Sequence, residues 1–550
     1  MTQTVSHLPS QRIAKATQRS TQSAPRKGGQ TSLPSLILMP ALVLLWCVAY
    51  YVLGGEVIAI QNGYGWDGFF YGSAAWGFDK LLAQPVLDPY LAQRVAPSAI
   101  LHYAMKALAL PMNQVSILQA FKVWNVLLLT TSASLWALTA RRLAFKPQAA
   151  WMGFVGLFGS FFVMKYSLYY PPLTDVTAFF LGVAAVWLYV SRNHWWLLAV
   201  GFVGYFTFPT MFYVAALLLA FPATLSLRKP LKQPLKQQAA ENRQEDMPDD
   251  VQRDVQRDVQ RFILPVRIAL TALLVVAMAS GIVYFALVEQ VKFKDVEPIF
   301  QPTLYASIML VLVYTGLAMW WWMECVPLKR LVREVLTASF GVRLLAILAL
   351  WVLCTWIRIS FLQNPDPNIL RTVPMTLGLF VGGSFSLAVA KPMLAVVANA
   401  VYFGPVVMVC VLAYRAMTKS AWRMGTGFAL VFVVSAVMSA IMSESRQFVN
   451  LLPVVIAALA MAINERPIKT STVAVVAALA VMGSKVWMTL NVPNMDKLAF
   501  RGDLATSPMQ RYFMNHGPWM SMESYVWQGA VVLVVTGVLW FVMKPSLQSS

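Results

Sequence analysis

The sequence predicts an all-α polytopic membrane protein with about 12–14 transmembrane helices, and three observations carry that reading. Of its 550 residues, 58 % are hydrophobic and only 12 % charged, where soluble domains hold roughly 45–50 % apolar and about 25 % charged residues. The mean hydropathy is +0.62. Apolar runs long enough, or nearly so, to cross about 30 Å of hydrocarbon recur along most of the chain. Too little polar surface remains to coat a particle in water, which excludes a soluble enzyme, a disordered scaffold and a disulfide-rich secreted module.

Residues 1–32 form a polar tail with five basic residues and no acid. The run 33–53 reads as an uncleaved first span, because no small-residue cleavage site follows it. Further runs lie at about 115–140, 150–165, 171–191, 263–288, 304–323, 344–361, 393–413, 426–442, 447–463, 470–488 and 528–543. The stretch 195–226 exceeds one span and is broken at Thr207-Phe208-Pro209-Thr210, where proline removes a donor and disfavours helix before it. Two short helices meeting at the break are expected.

The domain order that follows is a basic tail at 1–32 and an N-terminal membrane module at 33–226 containing a first outer loop at 54–114. A charged cytoplasmic linker spans 227–262, and a C-terminal membrane module covers 263–488. An outer loop at 489–527 precedes the last span and a cytoplasmic tail at 528–550. Within the linker, Asp250–Arg253 repeats as Asp254–Arg257 and Asp258–Arg261. Its near-balanced charges read as a solvated segment without function.

Lys and Arg number 43 against 23 acids, a net charge of +20. In a soluble chain this would suggest nucleic acid; here the basic residues occupy short loops between spans and set topology, so no nucleic-acid partner is expected. Arg141, Arg142, Lys146, Arg192, the 227–262 segment, Lys329, Arg330, Arg333, Arg415, Lys419, Arg423, Arg466 and Lys469 all fall on one side. With 195–226 counted as two helices the parity closes, and both termini are cytoplasmic. Cys47, Cys325, Cys354 and Cys410 lie in or beside apolar stretches at no metal spacing and read as small buried hydrophobes.

Chemistry concentrates in the loops on the other side. In Gln61-Asn62-Gly63-Tyr64-Gly65-Trp66-Asp67-Gly68, one acid sits among glycines and aromatics that favour the headgroup level. Asp67 there either accepts a proton from an acceptor hydroxyl or caps a helix starting at Gly68. Downstream, Asp88 and Arg94 precede Pro97, a suitable first-turn proline. Ser98, His102 and Lys106 then recur every four residues along one face of an amphipathic helix. Arg94 is a candidate phosphate ligand or an ion-pair partner of Asp88; His102 is a candidate substrate contact or a hydrogen-bonded interfacial residue.

In Tyr170-Pro171-Pro172-Leu173-Thr174-Asp175, Asp175 is a second carboxylate facing the same cleft, or again a cap. Glu444 and Arg446 form a charged pair in a short turn between spans, where charge is costly unless paired or wet. Arg446 and Lys391 are further candidate phosphate ligands. Tyr512, Trp519, Tyr525 and Trp527 suit an aromatic lid. No phosphate-binding glycine loop, nucleotide fingerprint, HExxH or Gly-x-Ser-x-Gly elbow occurs. No cofactor is required by these residues; a divalent cation on the acids is admitted, with its ligands undefined.

The pattern Gly63-x-x-x-Asp67-Gly68-x-Phe70-Tyr71, followed by Asp88-Pro89-Tyr90-x-x-Gln93-Arg94-x-x-Pro97-Ser98, resembles bacterial polytopic proteins of the GT-C glycosyltransferase superfamily. The Leu173-Thr174-Asp175 helix start and the Phe208-Pro209-Thr210 break fit the same layout. The resemblance implies a GT-C-like fold with amphipathic helices in the first outer loop, in the bacterial inner membrane. It also implies a lipid-linked (polyprenyl-phosphate) sugar donor and a glycan, lipid or protein acceptor. Asp67 matches the superfamily's catalytic acid, Arg94 the basic residue ending the loop, and Asp175 the second acid of some relatives. The paired acidic motif frequent in the superfamily is absent, Asp67 being followed by Gly68, so Asp88 stands as a rival base. A transporter or flippase, a glycan polymerase or ligase, and a non-catalytic assembly subunit are the competing readings.

Overall fold

Backbone groups in hydrocarbon must be satisfied within their own segment, which makes helix the outcome for isolated apolar runs of this length. The structure is a computed structural model that describes residues 33–83, 89–223, 264–280, 303–360, 391–442, 444–491, 520 and 522–548. No strand occurs among the described residues. The tail at 1–32 and the linker at 227–262 lie outside them.

The first half begins with α1 (Leu33–Val52), followed by the short helices α2 (Asp67–Trp76), α3 (Phe78–Ala83), α4 (Pro89–Ala92) and α5 (Ala96–Ala107). Then come α6 (Gln114–Arg142), α7 (Pro147–Phe158), a π-helical turn at Phe162–Tyr166, α8 (Ser167–Tyr169) and α9 (Asp175–Ser191). The expected break is present, between α10 (Leu197–Tyr205) and α11 (Thr210–Ala220). The second half holds α12 (Leu264–Ser280), α13 (Leu304–Glu324), α14 (Leu328–Val335) and α15 (Ala338–Ser360). It continues through α16 (Leu394–Phe403), α17 (Val406–Met424), α18 (Thr426–Ile441), α19 (Leu452–Asn464), α20 (Thr470–Ser484) and α21 (Met522–Gln548).

Among the described residues five helices are long and apolar enough to cross a membrane: within α1, α6, α13, α15 and α21. Two bent pairs raise this to seven, α7 with Phe162–Tyr169 at 52° and α16 with α17 at 114°. The expected 12–14 spans are therefore corrected to five to seven by this measure. Two of the runs read as straight spans are broken: 393–413 turns at Gly404, with φ of 80°, and Pro405, and 150–165 turns after Phe158. Others, such as α11 and α19, form helices of 11 and 13 residues, about 16–20 Å at 1.5 Å per residue. The last helix starts at Met522, so Tyr525 and Trp527 lie on it and not in a loop; Tyr512 and Trp519 lie outside the described residues.

Helix α6 lies between α1 and α9, while α19 packs on α7, α9 and α17. The shared core includes the fully buried Phe121, Trp136, Tyr166, Tyr169, Phe179 and Tyr402. By contrast α15 and α21 present rows of apolar residues outward, including Leu345, Val352, Trp356, Leu533 and Phe541. In water such a surface would be an association site; against acyl chains it costs nothing.

Contacts sort the connections into two ends. At one, Lys146 N donates to Asn464 Oδ1, Arg415 pairs with Glu324, and Arg423 with Glu465. At the other, Ile58 N donates to Tyr169 O, Ala96 N to Phe206 O, and Asn450 Nδ2 to Thr210 Oγ1. The second end carries the site.

Candidate functional site

The loop before α2 is shaped by glycine. Gln61, Asn62, Gly63 and Gly65 all have positive φ, and the loop presses on Tyr170. A Cβ at Gly65 would lie 2.4 Å from the Tyr170 ring, and one at Gly68 would lie 2.9 Å from Tyr170 and Pro172. Gly68 N donates to Tyr170 Oη at 3.2 Å. The partner loop is fixed from behind by Asn125, whose Nδ2 donates to Ser167 O and Pro171 O at 3.1 and 2.9 Å. Close approach of two loops, licensed by residues without side chains, brings Asp67 next to Asp175.

Both acids are the first residues of their helices, with Trp66 and Thr174 at the cap positions and no side-chain cap bond at either. The capping reading is corrected for both: their carboxylates turn to Arg446 instead. The turn Ser445–Phe448 between α18 and α19 carries this arginine. Its Nε donates to Asp175 Oδ1 at 3.2 Å, and its Nη1 and Nη2 both reach Asp67 Oδ2 at 3.3 Å. The side chains of Arg446 and Asp175 are 6 % and 2 % exposed, that of Asp67 is 37 %. Burial works against the Arg446 charge, yet neighbouring Asp175, Tyr166, Glu444 and Asp67 hold its pKa well above the ordinary arginine value. Around it, Asp175 Oδ2, Thr174 Oγ1, Ser445 Oγ and Tyr402 Oη are buried without hydrogen-bond partners among the described residues. The Tyr402 hydroxyl lies within electrostatic reach of Asp175, Arg446 and Glu444. Unsatisfied buried polar atoms in such number beside a charge cluster mark a place for water or ligand.

The other sequence candidates are placed differently. Arg94 is buried with its guanidinium 4.8 Å from the centre of the Phe208 ring, at the α10–α11 break. His102 is buried against α2 and α3, with Nδ1 2.7 Å from Ala75 O and Nε2 3.3 Å from Asp79 Oδ2. Ser98 Oγ donates to Tyr71 O and Lys106 pairs with Asp79. The polar face of α5 thus forms a ladder on residues 71, 75 and 79, buried at Ser98 and His102 and half-exposed at Lys106. Lys391, just before α16, donates to Met520 O, just before the last helix. Asp88 lies outside the described residues.

Sequence reasoning missed a further ion pair at this end. Lys165, on the π-helical turn, bonds Glu56 Oε2 at 2.7 Å and Met488 O at 3.1 Å. Glu56 accepts from Leu490 N and Asn491 N, and Asn491 Oδ1 accepts from Tyr169 Oη. A lysine inside an otherwise apolar run was the available signal. Among the described residues no three His, Cys, Asp or Glu side chains gather where a metal could be held.

An apolar cavity of about 270 Å³ lies between α13, α16, α17, α18 and α19. Phe403 and Phe448 line it, one beside Tyr402 and the other on the turn that carries Arg446; Asn399, with a buried Oδ1 lacking a partner, lines it too. The charge cluster and the cavity thus share the turn Ser445–Phe448, Arg446 serving the one and Phe448 the other. Comparison with known proteins finds no family model, no curated protein and no solved structure that matches this chain.

Proposed function

We propose that this chain is a membrane glycosyltransferase of GT-C-like fold that moves a sugar from a polyprenyl-phosphate donor to an acceptor hydroxyl, with inversion. The observation that carries the reading is Arg446 bridging Asp67 and Asp175, three residues from distant parts of the chain. In one displacement the acceptor oxygen attacks the anomeric carbon as its proton passes to the Asp67 carboxylate. The bond from that carbon to the lipid phosphate breaks, and its electron pair leaves with the phosphate, whose charge falls to Arg446. Asp175 positions Arg446 from behind. The apolar cavity supports a lipid-borne donor, since it offers space for part of an isoprenoid chain on the same turn as Arg446. Arg94 and Glu444, at the same end, complete the proposed binding surface. No step is routed through a metal ion.

The basic loops lie at the opposite end, and by the positive-inside rule that end is cytoplasmic, as are both termini. The site then opens on the extracytoplasmic face of the bacterial inner membrane, with α2 to α5 as outer helices over it. The test is Asp67→Asn in lipid nanodiscs supplied with polyprenyl-phosphate-linked sugars and membrane-extracted acceptors. Transfer is expected to fall to background while the melting temperature holds. Undiminished transfer overturns the assignment of the base, and wild-type movement of labelled lipid-linked sugar across vesicles without transfer marks a transporter.

A further inference from the structure

We propose that Arg446 exchanges one of its two carboxylates for the incoming lipid phosphate: Asp175 is its permanent partner and Asp67 a displaceable one. This rests on the donor class named above. The two contacts differ in kind. Towards Asp175, both side chains are buried and the acid opens a 17-residue helix that gives it nowhere to retreat. Towards Asp67, both terminal guanidinium nitrogens converge on one oxygen at 3.3 Å, and the carboxylate is more than a third exposed. A well-made arginine pair uses two acceptor oxygens at about 2.7–2.9 Å. A phosphate presents two such oxygens side by side, so it matches the fork that Asp67 fills only end-on.

Exchange has a direct consequence. Once the phosphate holds the fork, Asp67 Oδ2 loses both contacts and faces a like charge, which turns it towards the solvent side, where an acceptor arrives. The carboxylate is thus presented to an acceptor hydroxyl only after the donor is seated. The geometry orders the substrates, donor first, and keeps the base occupied while the site is empty.

The experiment measures binding of geranylgeranyl phosphate, with inorganic phosphate in a parallel arm, to the full chain in detergent micelles. Removing the competing carboxylate in Asp67→Asn is expected to tighten the lipid phosphate Kd by up to about fivefold, the range of an exposed ion pair. Inorganic phosphate should show the same direction at lower affinity, because it lacks the chain that the cavity takes; equal affinity for both would show that the lipid chain is not read. Arg446→Lys, which keeps the charge but not the fork, should abolish the gain when combined with Asp67→Asn. If wild type binds and Asp67→Asn binds equally or more weakly, the exchange is wrong and the donor reading stands. If neither protein binds the lipid phosphate, both fall.

Discussion

Removing Arg446 tests the architecture of the site independently of any activity. In Arg446→Met the Asp175 carboxylate stays where its side chain is 2 % exposed, and its only hydrogen bond among the described residues is lost. Breaking a buried pair from one side costs about 3–5 kcal/mol. The positive end of α9 returns up to about 1 kcal/mol, and Asp67, already partly in solvent, adds less than about 1 kcal/mol. The expected loss is about 3–4 kcal/mol. Neutralising the stranded acid should recover most of it, so Arg446→Met with Asp175→Asn is expected to be more stable than Arg446→Met alone, by about 2 kcal/mol or more. Unfolding in mixed micelles titrated with SDS, followed by tryptophan fluorescence, reads each corner of the cycle. A loss under about 1 kcal/mol for Arg446→Met, or additive effects in the double variant, would refute the buried pairing.

Two further outcomes follow from the geometry. Lys165→Met removes the cation between Glu56 and the 486–491 segment; because Glu56 keeps two backbone donors, the cost should be about 2–3 kcal/mol, and amide exchange at Leu490 and Asn491 should accelerate. Unchanged exchange there would dissolve the pin. His194, in the turn between α9 and α10, is held down to about 4 by burial and then by Arg343 and Arg192. Its folded pKa lies below the unfolded value of about 6.5, so the unfolded chain binds more protons between the two, and stability falls as pH drops through that window. The melting temperature of wild type should therefore decline more steeply from about pH 7 to about pH 4.5 than that of His194→Gln; equal slopes would remove His194 from the account.

Much of this site was legible, because charge beside hydrocarbon is rare enough to read one residue at a time. Asp67, Asp175 and Arg446 stood out singly, and the structure brings them into contact across 379 and 271 positions of sequence. What periodicity could not say is which way a face turns. Ser98, His102 and Lys106 do share one face of α5, but it points at α2 and α3, where Ala75 O, in the last turn of a helix, lies 2.7 Å from His102 Nδ1. A four-residue spacing is the same for a wet stripe and for a ladder on a neighbouring backbone. The span count among the described residues is lower than hydropathy suggests for a related reason: two apolar runs turn, at Gly404-Pro405 and at Gly159-Ser160, and others form helices of only 11–17 residues, and neither feature registers in a hydropathy sum. In the Glu56–Lys165–Asn491 cluster only Lys165, a lysine in an apolar run, carries a signal in the sequence; its partners Glu56 and Asn491 are unremarkable alone, and only the fold joins them.

The placement of both acids at helix starts also explains how the cluster tolerates its surplus of negative charge. Asp67, Asp175 and Glu444 surround one guanidinium, an imbalance that burial should punish. Yet α2 and α9 each begin on an acid of the cluster, and the unpaired amides of a first turn carry partial positive charge. The two helix starts thus supply what a second cation would otherwise have to provide. This is why a residue type that suits an N-terminus in any helix sits here without capping it: the helix stabilises the carboxylate through its field, while the carboxylate spends its hydrogen bonds on Arg446. The same residues satisfy a local preference and a distant partner at once, and so the sequence left the capping and the site readings of Asp67 and Asp175 both open.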